Sequence, residues 1–404
     1  MLIGQADYEG NVRNVGAGQL GGTPAIVLAS DLYAIAEMAH KGHPIQSIII
    51  DGSNASILLS QLDALDELMR LGVPITCVRG EVIIIMDKRE KTLGVVLGHA
   101  VADALGVPVE FEYREDLRKD PVVGMRGYGS HAVPAGTWSD DTSMAIATLD
   151  SLSKGIDYDD MMRRFCSWAN DNEYSATGEL FDIGITTQAT LRRYLKGIPA
   201  LECGADGDYD NGNGSLMRIY PIALYWHFLQ EEKRSACDLI DFVFKSSSLT
   251  HAHLRSKLGC AIYIFVMLQI LKEPSVDAVY RGLEEAQEKL GVYGDELQHY
   301  ARLFEKDFSK IHEDEIKSSG YVVDTLEASI WCLLNSSNYA ECVLKAVNLG
   351  HDTDTVGAIA GSLAGAMYGL KMIPVGWIAE LQNRGLLFDI CECFSNSAQS
   401  RFNN

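Results

Sequence analysis

The strongest constraint on the fold is a pair of small-residue stripes at helical spacing. Gly94, Gly98 and Ala102 recur every four residues in one apolar run, and Gly357, Gly361, Gly365 and Gly369 repeat the device near the C-terminus. Residues four apart share one face of an α-helix. A glycine inside a helix costs about 0.5–1 kcal/mol relative to alanine. A register of them therefore predicts tight packing, with another helix allowed to approach closely. Helices are expected over Leu93–Leu105 and through the run Val356–Leu370.

Two clusters of carboxylates and hydroxyls lie about two hundred residues apart: Ser139-Asp140-Asp141-Thr142 and His351-Asp352-Thr353-Asp354-Thr355. Adjacent carboxylates repel unless a cation lies between them or each has a hydrogen-bond partner. The donors are hard oxygens with no cysteine among them, which suits Mg²⁺ or Mn²⁺ rather than Zn²⁺. Together the clusters could form one binuclear site for hydrolysis at a phosphate- or sugar-bearing substrate. Each alone is equally a helix cap, since Ser, Thr and Asp are the usual N-cap residues.

The organisation of the chain divides at about residue 90. Before it, short apolar strands at Ala25–Ala29, Ser47–Ile50 and Pro74–Val78, with a fourth at Val82–Met86, alternate with helices at Leu32–His40 and Ser56–Leu71. That alternation predicts a small α/β domain over residues 1–90. It carries no catalytic set, so its expected role is accessory, with docking of a partner as one possibility. The letters Gly16-x-Gly18-x-x-Gly21 match a dinucleotide-binding pattern, but neither the strand before nor the helix after is present. Asp87-Lys88-Arg89-Glu90-Lys91 reads as a charged linker.

From residue 91 to 404 the pattern predicts an all-α domain. Helices are expected at Thr142–Leu152, Asp159–Asn170, Thr187–Leu195, Gly214–Trp226, Ala236–Ser246, His253–Leu271, Val276–Leu290, Asp295–Phe308, Asp324–Leu334 and Tyr339–Asn348. The fold class is thus mainly all-α, preceded by a small α/β domain.

A net charge of −21, from 34 basic and 55 acidic residues, argues against general nucleic-acid binding. The nine cysteines are scattered without a CxxC pair, so neither a zinc ribbon nor a disulfide framework is expected. No signal peptide or membrane span is read, and a reducing, cytoplasmic location is the default expectation.

Seven landmarks in order resemble the ADP-ribosylglycohydrolase family, in particular its bacterial members similar to the dinitrogenase reductase-activating glycohydrolase. They are Gly98–Phe111, Trp138–Thr142, Phe181–Thr187, Asn211–Arg218, Leu249–His251, Gly320–Thr325 and His351–Thr355. The resemblance covers about residues 92–385 and leaves the first 90 unassigned. Ser139 stands where threonine is common, and Ala102 where glycine is common.

The resemblance implies a compact helical glycohydrolase domain with two Mg²⁺ or Mn²⁺ ions on Ser139, Asp140, Asp141, Asp352, Asp354 and Thr355. It implies a catalytic set of Asp182, Asp352 and Glu110, with Asp182 as a proton donor or acceptor and Glu110 beside the metals, gating entry. Asn211, Gly212, Asn213, Gly214, Ser215, His251 and Tyr321 are then the expected ADP-ribose contacts, and Arg218 reinforces the anion site or makes an internal salt bridge. The implied reaction removes ADP-ribose from an ADP-ribosylated protein, with ADP-ribosyl-arginine the expected linkage. Another linkage (serine, a free ADP-ribose derivative or a nucleic-acid base) and a non-catalytic ADP-ribose-binding role stand as alternatives.

Overall fold

A computed structural model of the chain describes residues 81–229 and 235–397, together with the backbone of five short strands. The chain separates into two compact units, Met1–Lys88 and Arg89–Asn404.

In the first unit β1 (Ile3–Ala6) and β2 (Val12–Val15) pair antiparallel. β3 (Ala25–Val27), β4 (Ile48–Ile50) and β5 (Ile75–Cys77) form a parallel sheet in that order, at the three strand positions read from the sequence. The two expected helices between them, and the Gly16–Gly21 stretch, lie outside the described residues. The fourth strand, Val82–Met86, is corrected: these residues belong to α1 (Glu81–Gly106), as do the charged residues read as a linker. A short apolar run is compatible with either periodicity, and only its continuation decides.

The second unit contains, besides the part of α1 within it, eleven further described helices of nine residues or more. These are α2 (Asp140–Lys154), α3 (Tyr158–Asp171), α4 (Ile185–Leu195), α5 (Tyr220–Leu229), α6 (Ala236–Ser248) and α7 (Leu254–Lys272). Then follow α8 (Val276–Leu290), α9 (Val322–Leu334), α10 (Tyr339–Val347), α11 (Thr353–Tyr368) and α12 (Arg384–Ser397). The central helix α7 is apolar all round and packs on α6, α8, α9 and α11. Both it and the segment Lys88–Val109 are long and apolar enough to cross a membrane, yet each is largely buried inside the protein, as an all-round apolar helix in a core should be.

The two small-residue stripes face one another. A Cβ built on Gly98 would lie 2.5 Å from the carbonyl oxygen of Gly361, and one on Gly365 would lie 2.0 Å from that of Gly94. Gly357 meets the carbonyl of Ala102 in the same register, so α1 and α11 cross antiparallel with their backbones touching. The fourth member, Gly369, is corrected: it ends α11 as its C-cap at φ 80°, a conformation natural to glycine. Gly361→Val should destabilise the domain by about 3 kcal/mol or more, since overpacking ordinarily costs about 1–3 kcal/mol and here the obstruction is backbone. Chemical denaturation of the purified variant checks this; unchanged stability would mean the helices separate freely.

Antiparallel crossing has a functional consequence. It sets the C-terminal end of α1 against the N-terminal end of α11, where Thr353 Oγ1 donates to the carbonyl of Gly106 at 2.8 Å.

Candidate active site

Three helix ends converge at this crossing. From the last turn of α1, the fully buried Asp103 reaches the start of α2. Its carboxylate accepts from the backbone N–H of Ser139 (3.0 Å), the N–H of Thr142 (3.1 Å) and Thr142 Oγ1 (2.6 Å). Asp103 thus satisfies orphan donors at the helix N-terminus and fixes the first acidic cluster in place. No role was read for it from the sequence, although it lies in the first landmark.

Ser139 is the N-cap of α2, accepting from Asp141 N–H at 3.3 Å, and Asp140 and Asp141 occupy its first turn. Asp352 holds the equivalent position before α11, followed by the buried Asp354 and Thr355. Both helix N-termini present partial positive charge to these carboxylates. The two clusters meet: Thr355 Oγ1 donates to Asp141 Oδ2 at 3.2 Å across 214 residues of chain. Ser139 Oγ donates to the same oxygen at 3.2 Å, whereas Asp141 Oδ1 is buried without a hydrogen-bond partner.

Glu110 follows a short 3-10 turn after α1 and is only 6% exposed. One of its oxygens lies within 4.8 Å of ligand atoms of Asp352 and Asp354, and it forms a second such group with His131 and Asp182. His131 Nε2 is hydrogen-bonded to Glu110 Oε2. The histidine was missed in the sequence, where a lone His in a turn-rich stretch carries no periodic signal.

Burial dominates the electrostatics. It pushes the carboxyls of Asp103 and Glu110 up to about 7 and raises those of Asp182 and Asp352. Asp140, Asp141 and Asp354 are held well above the usual carboxylate range by burial first and by their acidic neighbours second. His131 is raised chiefly by its hydrogen bond to Glu110. So many desolvated carboxyls around one point form a set that could hold a metal ion.

The Asn211–Gly214 loop borders this centre. Asn213 N–H donates to Gly320 O (3.1 Å), Val322 N–H donates to Asn211 O (3.2 Å), and Gly212 bridges Tyr321. The Asn213 amide reaches Asp352 Oδ2 at 2.8 Å, tying the loop to the acidic centre. Asn211 through Gly214 and Tyr321 are half-buried.

Three residues lie deeper than the sequence implied. Ser215 is fully buried, accepting from Ser247 Oγ at 2.9 Å, and so supports the loop from behind rather than presenting a hydroxyl to a ligand. His251 is buried under Gly212 and Gly214, and burial pushes its imidazole down to about 3, so it is neutral. Arg218 is fully buried, its Nη2 donating to Ser246 O and Thr250 Oγ1 and its guanidinium stacking over Phe165; among the described residues it has no salt bridge.

The family model for ADP-ribosylglycohydrolases matches residues 85–403. The chain is 33% identical over 304 residues to the ADP-ribosylarginine hydrolase Tri1 of Pseudomonas putida, covering 72% of this chain and 74% of that one. It is 30% identical to the ADP-ribosyl-[dinitrogen reductase] glycohydrolase of Rhodospirillum rubrum, covering 72% and 90% of the respective chains. A solved structure described as an ADP-ribosylglycohydrolase-related protein complex superposes with a TM-score of 0.63 at 29% identity, covering 78% of this chain and 99% of that one.

Proposed function

This chain belongs to the ADP-ribosylglycohydrolase family and is a hydrolase of an ADP-ribose glycosidic bond, and from that premise we propose that it releases ADP-ribose from modified arginine on a protein. The reading of arginine is supported by the relatives, one named for ADP-ribosylarginine and one for a modified protein. The observation that carries a metal-dependent mechanism is the buried, unpartnered Asp141 Oδ1 amid converging carboxylates. Ser139, Asp140, Asp141, Asp352, Asp354 and Thr355 would hold two Mg²⁺ or Mn²⁺ ions. When bound, such ions supply charge neutralisation, orientation of ribose hydroxyls and a more acidic water.

The protein's own groups divide the remaining work. The half-buried Asp182 sits between Phe181 and Ile183, and its raised pKa suits it to exchange a proton with the substrate. Glu110 stands within reach of both Asp182 and the acidic pair Asp352 and Asp354. Apart from Asn213 N–H, which Gly320 O accepts, the Asn211–Gly214 loop offers backbone N–H groups to the diphosphate, and the bond from the Asn213 side chain to Asp352 orients that carboxylate. Preorganised charge of this kind ordinarily supplies the largest share of rate acceleration.

The deciding experiment follows ADP-ribose release from ADP-ribosyl-arginine protein with Mg²⁺, with Mn²⁺ and with EDTA. Release is expected with either metal and none with chelator. Release that is indifferent to EDTA would sink the metal reading; ADP-ribose binding without release would point to another linkage.

A further inference from the structure

We propose that His131 is a positioning residue for Glu110, and that the loop Tyr128–Val133 serves as a clamp on that carboxylate. The inference rests on the reading of Glu110 as part of the active site. Three contacts join the loop to the segment carrying Glu110. Ser130 N–H donates to Pro108 O at 2.9 Å, Ser130 Oγ donates to Glu110 O at 2.6 Å, and His131 Nε2 bonds Glu110 Oε2. The first two fix the backbone and the third fixes the side chain.

The loop is shaped for this contact. A Cβ on Gly129 would lie 1.8 Å from Pro108 O, so only glycine permits the approach. Tyr128 and Ala132 adopt φ 73° and 55°, and Tyr128 N–H closes on Val133 O at 2.6 Å. Left-handed backbone at residues bearing a Cβ persists only where surrounding contacts over-determine it. The His131 ring lies 5.2 Å from that of Phe181 and 6.1 Å from that of Phe111, measured between centroids, which limits its rotation. Among the described residues His131 is the hydrogen-bond partner of the Glu110 carboxylate. A buried carboxylate deprived of its partner swings away or takes up a proton, and either change spoils a preorganised site.

The test is a double-mutant cycle over wild type, His131→Ala, Glu110→Gln and the double variant, with kcat, KM and thermal melting measured for each. Loss of an outer partner of a metal-site group costs about 10–100-fold in activity. His131→Ala is therefore expected to lower kcat by that factor with little change in KM or melting. In the Glu110→Gln background the same substitution should cost almost nothing further, because its effect passes through Glu110. His131→Gln, which retains an N–H donor, should restore most of the rate and covers the case in which the alanine variant fails to fold. A wild-type rate in folded His131→Ala, or the full loss repeated in the Glu110→Gln background, would overturn the proposal. If the wild type releases no ADP-ribose, the reading of function fails, and the same cycle is read in the dissociation constant for ADP-ribose with Mn²⁺ present. Coupled losses there support the clamp and additive losses refute it.

Discussion

Asp352→Asn is expected to lower turnover by about 10³-fold, because removing one carboxylate of a metal site forfeits several kcal/mol of transition-state stabilisation. The variant should fold normally. Asparagine is as good a residue as aspartate at a helix N-terminus, and its carbonyl can still accept the hydrogen bond from Asn213 that Asp352 Oδ2 accepts at 2.8 Å. Removing one charge also relieves the repulsion that burial imposes on Asp141 and Asp354, each of which faces Asp352. Metal-free Asp352→Asn should therefore melt no lower than the metal-free wild type. Initial rates on ADP-ribosyl-arginine and melting in EDTA read both effects. Full activity in the folded variant would remove Asp352 from the site.

The second large effect is on stability as a function of pH. In the metal-free protein the carboxyls of Asp103 and Glu110 lie at about 7, against ordinary values of 3.8 and 4.5. The folded state then holds protons that the unfolded state has released, so stability falls as pH rises. Their contribution is fully present below about pH 4 and is lost as pH passes through about 7, a tenfold difference in proton affinity between the two states being worth about 1.36 kcal/mol per group. Divalent metal acts in the opposite direction, because its ligands must be deprotonated to bind it. The rise in melting temperature caused by Mn²⁺ over EDTA should therefore widen between about pH 5 and about pH 8. A gap independent of pH would show that the ligand carboxyls of Asp140, Asp141, Asp352 and Asp354 are already ionised without metal. Asp103→Asn should flatten the metal-free profile by removing one of the two carboxyls raised to about 7.

Much of this site was legible in the residues. The two acidic clusters announce hard-oxygen ligands wherever they fall in the fold, and their ordered neighbours carry the family resemblance. Helices with strong amphipathic patterns and good caps were read nearly to the residue: Val276–Leu290 is α8, capped by Ser275. Elsewhere local pattern gave way to context. Asp295–Phe308 is not a continuous helix but one α-turn followed by 3-10 turns. Leu297, Tyr300 and Leu303 are buried, as is Phe308 at the end of the segment, and the spacing of three among the first three fits 3-10 geometry rather than a 3.6-residue repeat. The helix expected from Gly214 begins instead at Tyr220, because Asn213 is held to Gly320 and the intervening residues form turns. Ser215 reads as a ligand hydroxyl in the motif, yet its neighbours Ser247 and Cys260 consume it.

By itself the sequence determined which atoms could do chemistry and that glycine stripes must meet another backbone. Those properties reside in residue type and in spacings of three or four positions, which a linear chain carries openly. It could not determine that the two stripes meet each other, nor that their antiparallel crossing brings Gly106 against Thr353 and Asp354. That was decided in the tertiary structure, where helices pack so that no carbonyl is forced into a Cβ. The same packing made Asp103 the anchor of the first cluster and set His131 on Glu110. Both depend on contacts between segments more than 20 residues apart, where the chain's own periodicity holds no information about which side chains will touch.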